Sequence, residues 1–137
     1  MPTERERAVL ARGIAEFNSW RFYDCHETLE DIWREVGGKG QTAAAFANFY
    51  QGIIKLAAGY HQVLRGNHKG AINLLSDALR LLAPYQPSSM GVDVDSLLDA
   101  SRRCLERIRD LDPADIAHFD RSLIPAMQFD SEAVNAT

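Results

Sequence analysis

The chain has 137 residues, 46% hydrophobic and 25% charged, with 15 Lys plus Arg against 19 Asp plus Glu and a formal net charge of −4. A chain of this length buries a core without metal or disulfide staples. A mildly acidic chain without a basic block is a poor match for nucleic acid, whose affinity rests on Lys and Arg against phosphates.

The start, Met1-Pro2-Thr3-Glu4-Arg5-Glu6-Arg7, lacks the apolar core of a signal peptide. The first helix is expected from Thr3 to Asn18, with Thr3 as N-cap, Glu6 closing a capping box, and Leu10, Ile14 and Phe17 facing inward. A second helix, Phe22 to Val36, ends at Gly37-Gly38-Lys39-Gly40, where three glycines favour a turn. That segment lacks the spacing of a phosphate loop.

The third and longest helix is expected from Gln41 to Leu64. Its wide apolar arc of Phe46, Phe49, Tyr50, Ile53, Leu56, Ala57, Tyr60 and Leu64 predicts a central position. Gly52 and Gly59 cost about 1 kcal/mol each in mid-helix relative to alanine, which points to close approach by another helix. Asn48, Gln51 and Lys55 interrupt the most apolar stretch, Ala43 to Ala58, and exclude a membrane span there.

Gly66 reads as a stop and Asn67 as the next N-cap, which makes the third and fourth helices antiparallel neighbours. The fourth helix, His68 to Leu82, has an inward face of Ala71, Ile72, Leu74, Leu75, Ala78, Leu79 and Leu82. The hairpin from Leu56 to Leu82 also has the outline of a tetratricopeptide unit. Pro84 to Gly91 reads as a loop. The fifth helix, Val94 to Leu111, buries Leu97, Leu98, Ser101, Cys104, Leu105 and Ile108. Asp112-Pro113 opens a short last helix.

No segment alternates with period two, so no strand is expected. The architecture is all-α: one antiparallel bundle of five main helices plus a short C-terminal helix. It forms a single domain over residues 1–125, with a frayed tail over 126–137. Cys25 and Cys104, inside helical patterns and far apart, read as buried free thiols of a reducing compartment. The protein is expected in the cytoplasm, off the membrane.

The sharpest polar pattern is His26-Glu27-Thr28-Leu29-Glu30-Asp31-Ile32-Trp33. His26 lies on the apolar face beside Trp33, and Glu30 stacks on it at i, i+4. A buried imidazole needs a partner for each nitrogen, so a register-fixing hydrogen-bond network is the plain reading. A metal site is the second. His26 and Glu30 supply two ligands where zinc needs three or more, and the H-E-x-x-H pattern has Glu30 in place of its second histidine. No metal or other cofactor is therefore assigned. The third reading is a small-ligand or acid–base pocket. On the third helix, Gln51, Lys55 and Gln62 form a polar stripe, with Gln51 and Lys55 solvated. His61 sits at the edge of the apolar arc, where it can face His26. His68 and His118 are expected to be exposed.

Several of these residues together resemble the domain of unknown function 309 family. Phe17-Asn18, Phe22-Tyr23, His26-Glu27, Glu30 and Trp33 are similar to its opening motif. Gln51-Gly52, Ala57-Ala58, Tyr60-His61, Arg65-Gly66-Asn67, Gly70-Ala71 and Leu74-Leu75 are similar to its second, and Gly91-Val92-Asp93 to the block before its last long helix. The likeness extends over roughly residues 8–110 and implies a compact all-helical fold with no established reaction, substrate or cofactor. It departs at Trp20-Arg21, where the pattern has a small residue or a glycine. The matching polar residues His26, Glu27, Glu30, Gln51 and His61 are expected to converge between the second and third helices.

Function stays open among three classes. One is a structural or small-ligand regulatory module, with a homodimer as one form of it. Another is a metal-dependent or acid–base enzyme using His26, Glu27, Glu30 and His61. The last is a tetratricopeptide-like partner-binding hairpin.

Overall fold

The computed structural model describes residues 2–37 and 46–132. Its α-helices are α1 Glu4–Asn18, α2 Phe22–Glu35, α3 Ala47–Arg65, α4 His68–Leu82 and α5 Val94–Asp110. The all-α class follows, and each helix packs on the next in sequence.

Local chemistry sets the ends. The Glu6 N–H donates to Thr3 Oγ1 at 3.1 Å and the Thr3 N–H to Glu6 Oε2 at 2.8 Å, the expected capping box. Gly66 turns the chain at φ 80°, and Asn67 Oδ1 accepts from the Gly70 N–H at 2.9 Å to open α4. Between α1 and α2, Trp20 takes φ 61°, the left-handed conformation that a glycine adopts at least cost. The departure at Trp20-Arg21 therefore falls on the one residue of that turn with a left-handed backbone.

α3 is the central rod, with Phe49, Tyr50, Ile53, Leu56, Ala57 and Tyr60 fully buried. A Cβ on Gly52 would lie 2.6 Å from Leu82 Cγ, and one on Gly59 would lie 2.8 Å from Leu75 Cδ2. The residue order shows that α3 and α4 run antiparallel with the α3 backbone pressed onto leucines of α4. The close approach offsets the helix cost of both glycines. The same leucines, with Ala71 and Ala78, are sealed in the core.

Residues 41–45, assigned to the third helix, lie outside the described residues. Three expectations are corrected. A two-stranded antiparallel ladder, β1 Ser88–Ser89 with β2 Val92–Asp93, stands in the Pro84–Gly91 loop region. It turns through Met90 at φ 49° and Gly91 at φ 80°. Two-residue strands are too short to show a period in sequence. The short last helix is of the 3₁₀ type, Pro113–His118, followed by another, Arg121–Leu123.

The tail is the third correction, because residues up to Asp130 are held. Asn18 donates to Met127 O at 3.1 Å and accepts from Met127 N–H at 2.7 Å. The Asp93 N–H donates to Gln128 O at 3.0 Å, and the Asp130 N–H to Gly91 O at 2.8 Å. Ile124 and Met127 are buried. The open edge of β2 takes up backbone groups that a frayed tail would leave to water.

Candidate functional site

α2 and α3 run side by side and leave a groove along their seam. Its α2 wall is Tyr23, His26, Glu30 and Trp33, and its α3 wall runs through Gln51, Lys55, Ala58, Gln62 and Arg65, with Ile54 and His61 beside them. The spacing of three and four residues in both runs is that of one stripe on each helix, which is why nine residues from two segments face one seam. The groove has two parts. One, of about 200 Å³, is lined by Tyr23, His26, Ala58, His61, Gln62 and Arg65. The other, of about 250 Å³, lies between Glu30, Trp33, Gln51, Ile54, Lys55 and Leu74. His26 and Ala58 border both.

The His26 ring sits between two carboxylates of its own helix. Nδ1 is 3.2 Å from Glu27 Oε1, and Nε2 is 3.4 Å from Glu30 Oε2. Glu30 is also bound by the Arg34 guanidinium. The ring is 29% exposed, so the sealed imidazole expected from the wheel is replaced by one that reaches the groove. The wheel places it correctly toward α3, but the small side chain of Ala58 opposite leaves the space open. Tyr23, itself 59% exposed, leans on both histidines, with ring centroids 6.2 Å from His26 and 5.9 Å from His61.

Of the five expected residues, His26, Glu30, Gln51 and His61 line the groove, and Glu27 flanks it through its contact with His26. They do not meet at one point. Gln51 and His61 border different parts, ten positions apart on α3, a rise of about 15 Å. His26 stands between them. Sequence reasoning missed Tyr23, Ala58 and Arg65, although the 3–4 spacing that ties Gln51 and Lys55 to Gln62 continues through Ala58 to Arg65.

The electrostatics of the two parts differ. In the larger part, Lys55 Nζ binds Asp77 Oδ2 at 3.1 Å, and this bond holds the Asp77 carboxyl below the ordinary aspartate range. Glu30 is matched by Arg34. The smaller part has no acidic lining residue, and Arg65 forms no ion pair among the described residues. Ligand atoms of His26, Glu27 and Glu30 lie within 4.8 Å of one another, so the fold adds a third potential metal ligand to the two counted from sequence. Glu30 is engaged by Arg34, however, and all three ligands come from a single helix.

His68, expected to be exposed, is instead half-buried, its Nε2 2.7 Å from the Ile108 carbonyl oxygen, and ties the start of α4 to the end of α5. His118 is 78% exposed, as expected.

The resemblance of the motifs to a known family is borne out by comparison. Residues 10–74 match DUF309, a domain of unknown function. The DUF309 match takes in both walls of the groove and all five candidate residues, and it ends before Gly91-Val92-Asp93. The chain is 29% identical over 98 residues to the uncharacterized protein YpuF of Bacillus subtilis (strain 168), an alignment covering 69% of this chain and 53% of that protein. It is 25% identical over 93 residues to an uncharacterized protein of Aquifex aeolicus (strain VF5), covering 68% of this chain and 26% of the other. The chain thus spans about half the length of the first relative and about a quarter of the second. No solved structure matches it. Among the described residues, no helix is long and apolar enough to cross a membrane.

Proposed function

We propose that the chain is a small-ligand-binding module whose site is the α2–α3 groove, with His26 as its central contact. The supporting observation is that the His26 ring borders both parts of the groove while a carboxylate stands beside each nitrogen. A ring braced in this way is pre-oriented toward a ligand, which lowers the ordering cost of binding. The residue types suit recognition: an apolar floor of Ile54, Ala58 and Leu74 with a few convergent polar groups. In the same proposal the module works in the cytoplasm and without nucleic acid, in line with two buried free cysteines and a net charge of −4.

The test follows the ring C–H signals of His26 and His61 by NMR while benzylamine, benzyl alcohol, benzoate and phenyl phosphate are titrated in turn. At least one compound is expected to shift both signals saturably and leave His118 unmoved. Ala58→Leu, which fills the junction of the two parts, should abolish the shifts. Failure of all four compounds to move His26 and His61 overturns the reading. Stability separates it from the network reading: His26→Ala and Glu30→Ala should each cost under about 1 kcal/mol in urea melts, as partly exposed ion pairs do. A sealed network would cost about 1–3 kcal/mol.

A further inference from the structure

We infer that the Arg65 end of the groove holds the anionic group, carboxylate or phosphate, of a flat small molecule. The inference rests on the binding role proposed for the groove and adds the class of ligand. Three features of the 200 Å³ part carry it. First, none of its lining side chains is acidic, whereas His61 and Arg65 present nitrogen donors that no carboxylate among the described residues engages. Second, the other charged lining groups of the groove are already matched within the protein, Lys55 by Asp77 and Glu30 by Arg34. Arg65 alone among them forms no ion pair with a described residue. An exposed guanidinium beside the His61 imidazole and the Gln62 amide is a ready partner for a two-oxygen anion, which it can grip through parallel N–H bonds.

Third, the wall beside these donors is aromatic. The Tyr23 ring stands between the two histidines, its centroid 6.2 Å from that of His26 and 5.9 Å from that of His61. Such a wall favours the face or edge of a flat ring. The volume is in proportion, since a cavity of about 150 Å³ accommodates benzene. The acids of α2 have partners of their own: Asp24 pairs with Arg21 at 3.0 Å, Glu30 is bound by Arg34, and Glu27 and Glu30 flank the His26 ring without lining this part of the groove. A cationic ligand would meet Arg65, and no carboxylate lines this part.

Phenyl phosphate, benzoate, benzylamine and benzyl alcohol serve as probes of the full chain at pH 7.5, read by isothermal calorimetry and by the His26 and His61 ring signals. The two anions are expected to bind and the amine to bind more weakly than either. Arg65→Gln should weaken anion binding about tenfold or more, the scale of a charge-assisted bond, while Lys69→Gln on the outer face of α4 leaves it unchanged. Binding of phenyl phosphate alone assigns the end to phosphate, and equal binding of benzoate assigns it to oxyanions in general. Both support the inference. If the amine or the alcohol moves His26 and His61 as strongly as the anions, and Arg65→Gln changes nothing, the inference is overturned while the groove remains a binding site. If no probe moves either histidine, both readings fall.

Discussion

The Tyr50 hydroxyl donates to Glu6 Oε1 at 2.8 Å, joining the middle of the bundle to the first turn of α1 inside the core. Glu6 spends its other oxygen on the Thr3 N–H, so one buried carboxylate both caps a helix and anchors it to α3. Burial raises the Tyr50 phenol well above its ordinary range, and the adjacent Glu6 carboxylate adds to the rise. Tyr50→Phe removes the donor and leaves a buried charge with one partner fewer. The expected loss is about 1.5–3 kcal/mol, the scale of a hydrogen bond to a charged group. Urea unfolding checks it, and a loss below about 0.5 kcal/mol would contradict the pairing.

Gly59→Ala pits propensity against space. Alanine gains about 1 kcal/mol over glycine in a helix interior, but its methyl would meet Leu75 Cδ2 at 2.8 Å and the Leu75 backbone nitrogen at 3.2 Å. The side chain can yield and the backbone cannot, so overpacking should prevail. A net destabilisation of about 1–2 kcal/mol is expected. Leu75→Ala in the same chain should not restore stability, since it leaves the backbone contact and opens a cavity. Thermal melts of the single and double variants decide.

Both cysteines should be silent to thiol reagents in the native state. Burial, helped by the Glu16 carboxylate, pushes the Cys25 thiol up to about 12, and burial also raises Cys104. Only the thiolate reacts, so a disulfide reagent at pH 8 should count no thiols in the folded chain and both in urea. The linkage has a sign. A folded value above the unfolded one, about 8.5, contributes stability that is whole below pH 8.5 and fades as pH rises toward about 12 for Cys25. Rapid labelling of native protein at pH 8 would refute this burial.

Asp93 closes the start of α5 by accepting from the Ser96 N–H at 3.1 Å and from the Ser96 hydroxyl at 2.7 Å. These bonds hold its carboxyl below the ordinary aspartate value. The depressed group stabilises the fold above its unfolded value of about 3.9, and that contribution is lost as pH falls through the folded value. Asp93→Ala should cost about 1 kcal/mol at pH 7 and narrow its gap to the parent chain in acid. Asp93→Asn, which still caps, should cost less. Chemical melts from pH 7 to pH 3 follow the difference, and a gap that widens in acid would overturn the assignment.

Much of the fold was legible because its signals are local. Apolar spacing, the Thr3–Glu6 capping box, the Gly66 stop and the Asn67 cap each act within one or two turns, and each stands where the residues place it. The tail was not legible: Asn18 and Met127 meet across 109 positions, and nothing near either announces the other. The β1–β2 ladder escaped because strands of two residues carry no period.

The candidate site was half legible. The wheel turns His26 toward α3, and the 3–4 spacing from Gln51 onward marks a stripe. The residue types of this chain therefore determine by themselves its helices, most of their ends, and which side of α2 faces inward, because those properties depend on neighbours within a few bonds. Only the tertiary structure decided that the seam stays open beside His26, that Lys55 and Glu30 are matched, and that Arg65 forms no such pair. These outcomes depend on the size of Ala58 and on charges brought together from separate helices, and helical periodicity carries no information about either.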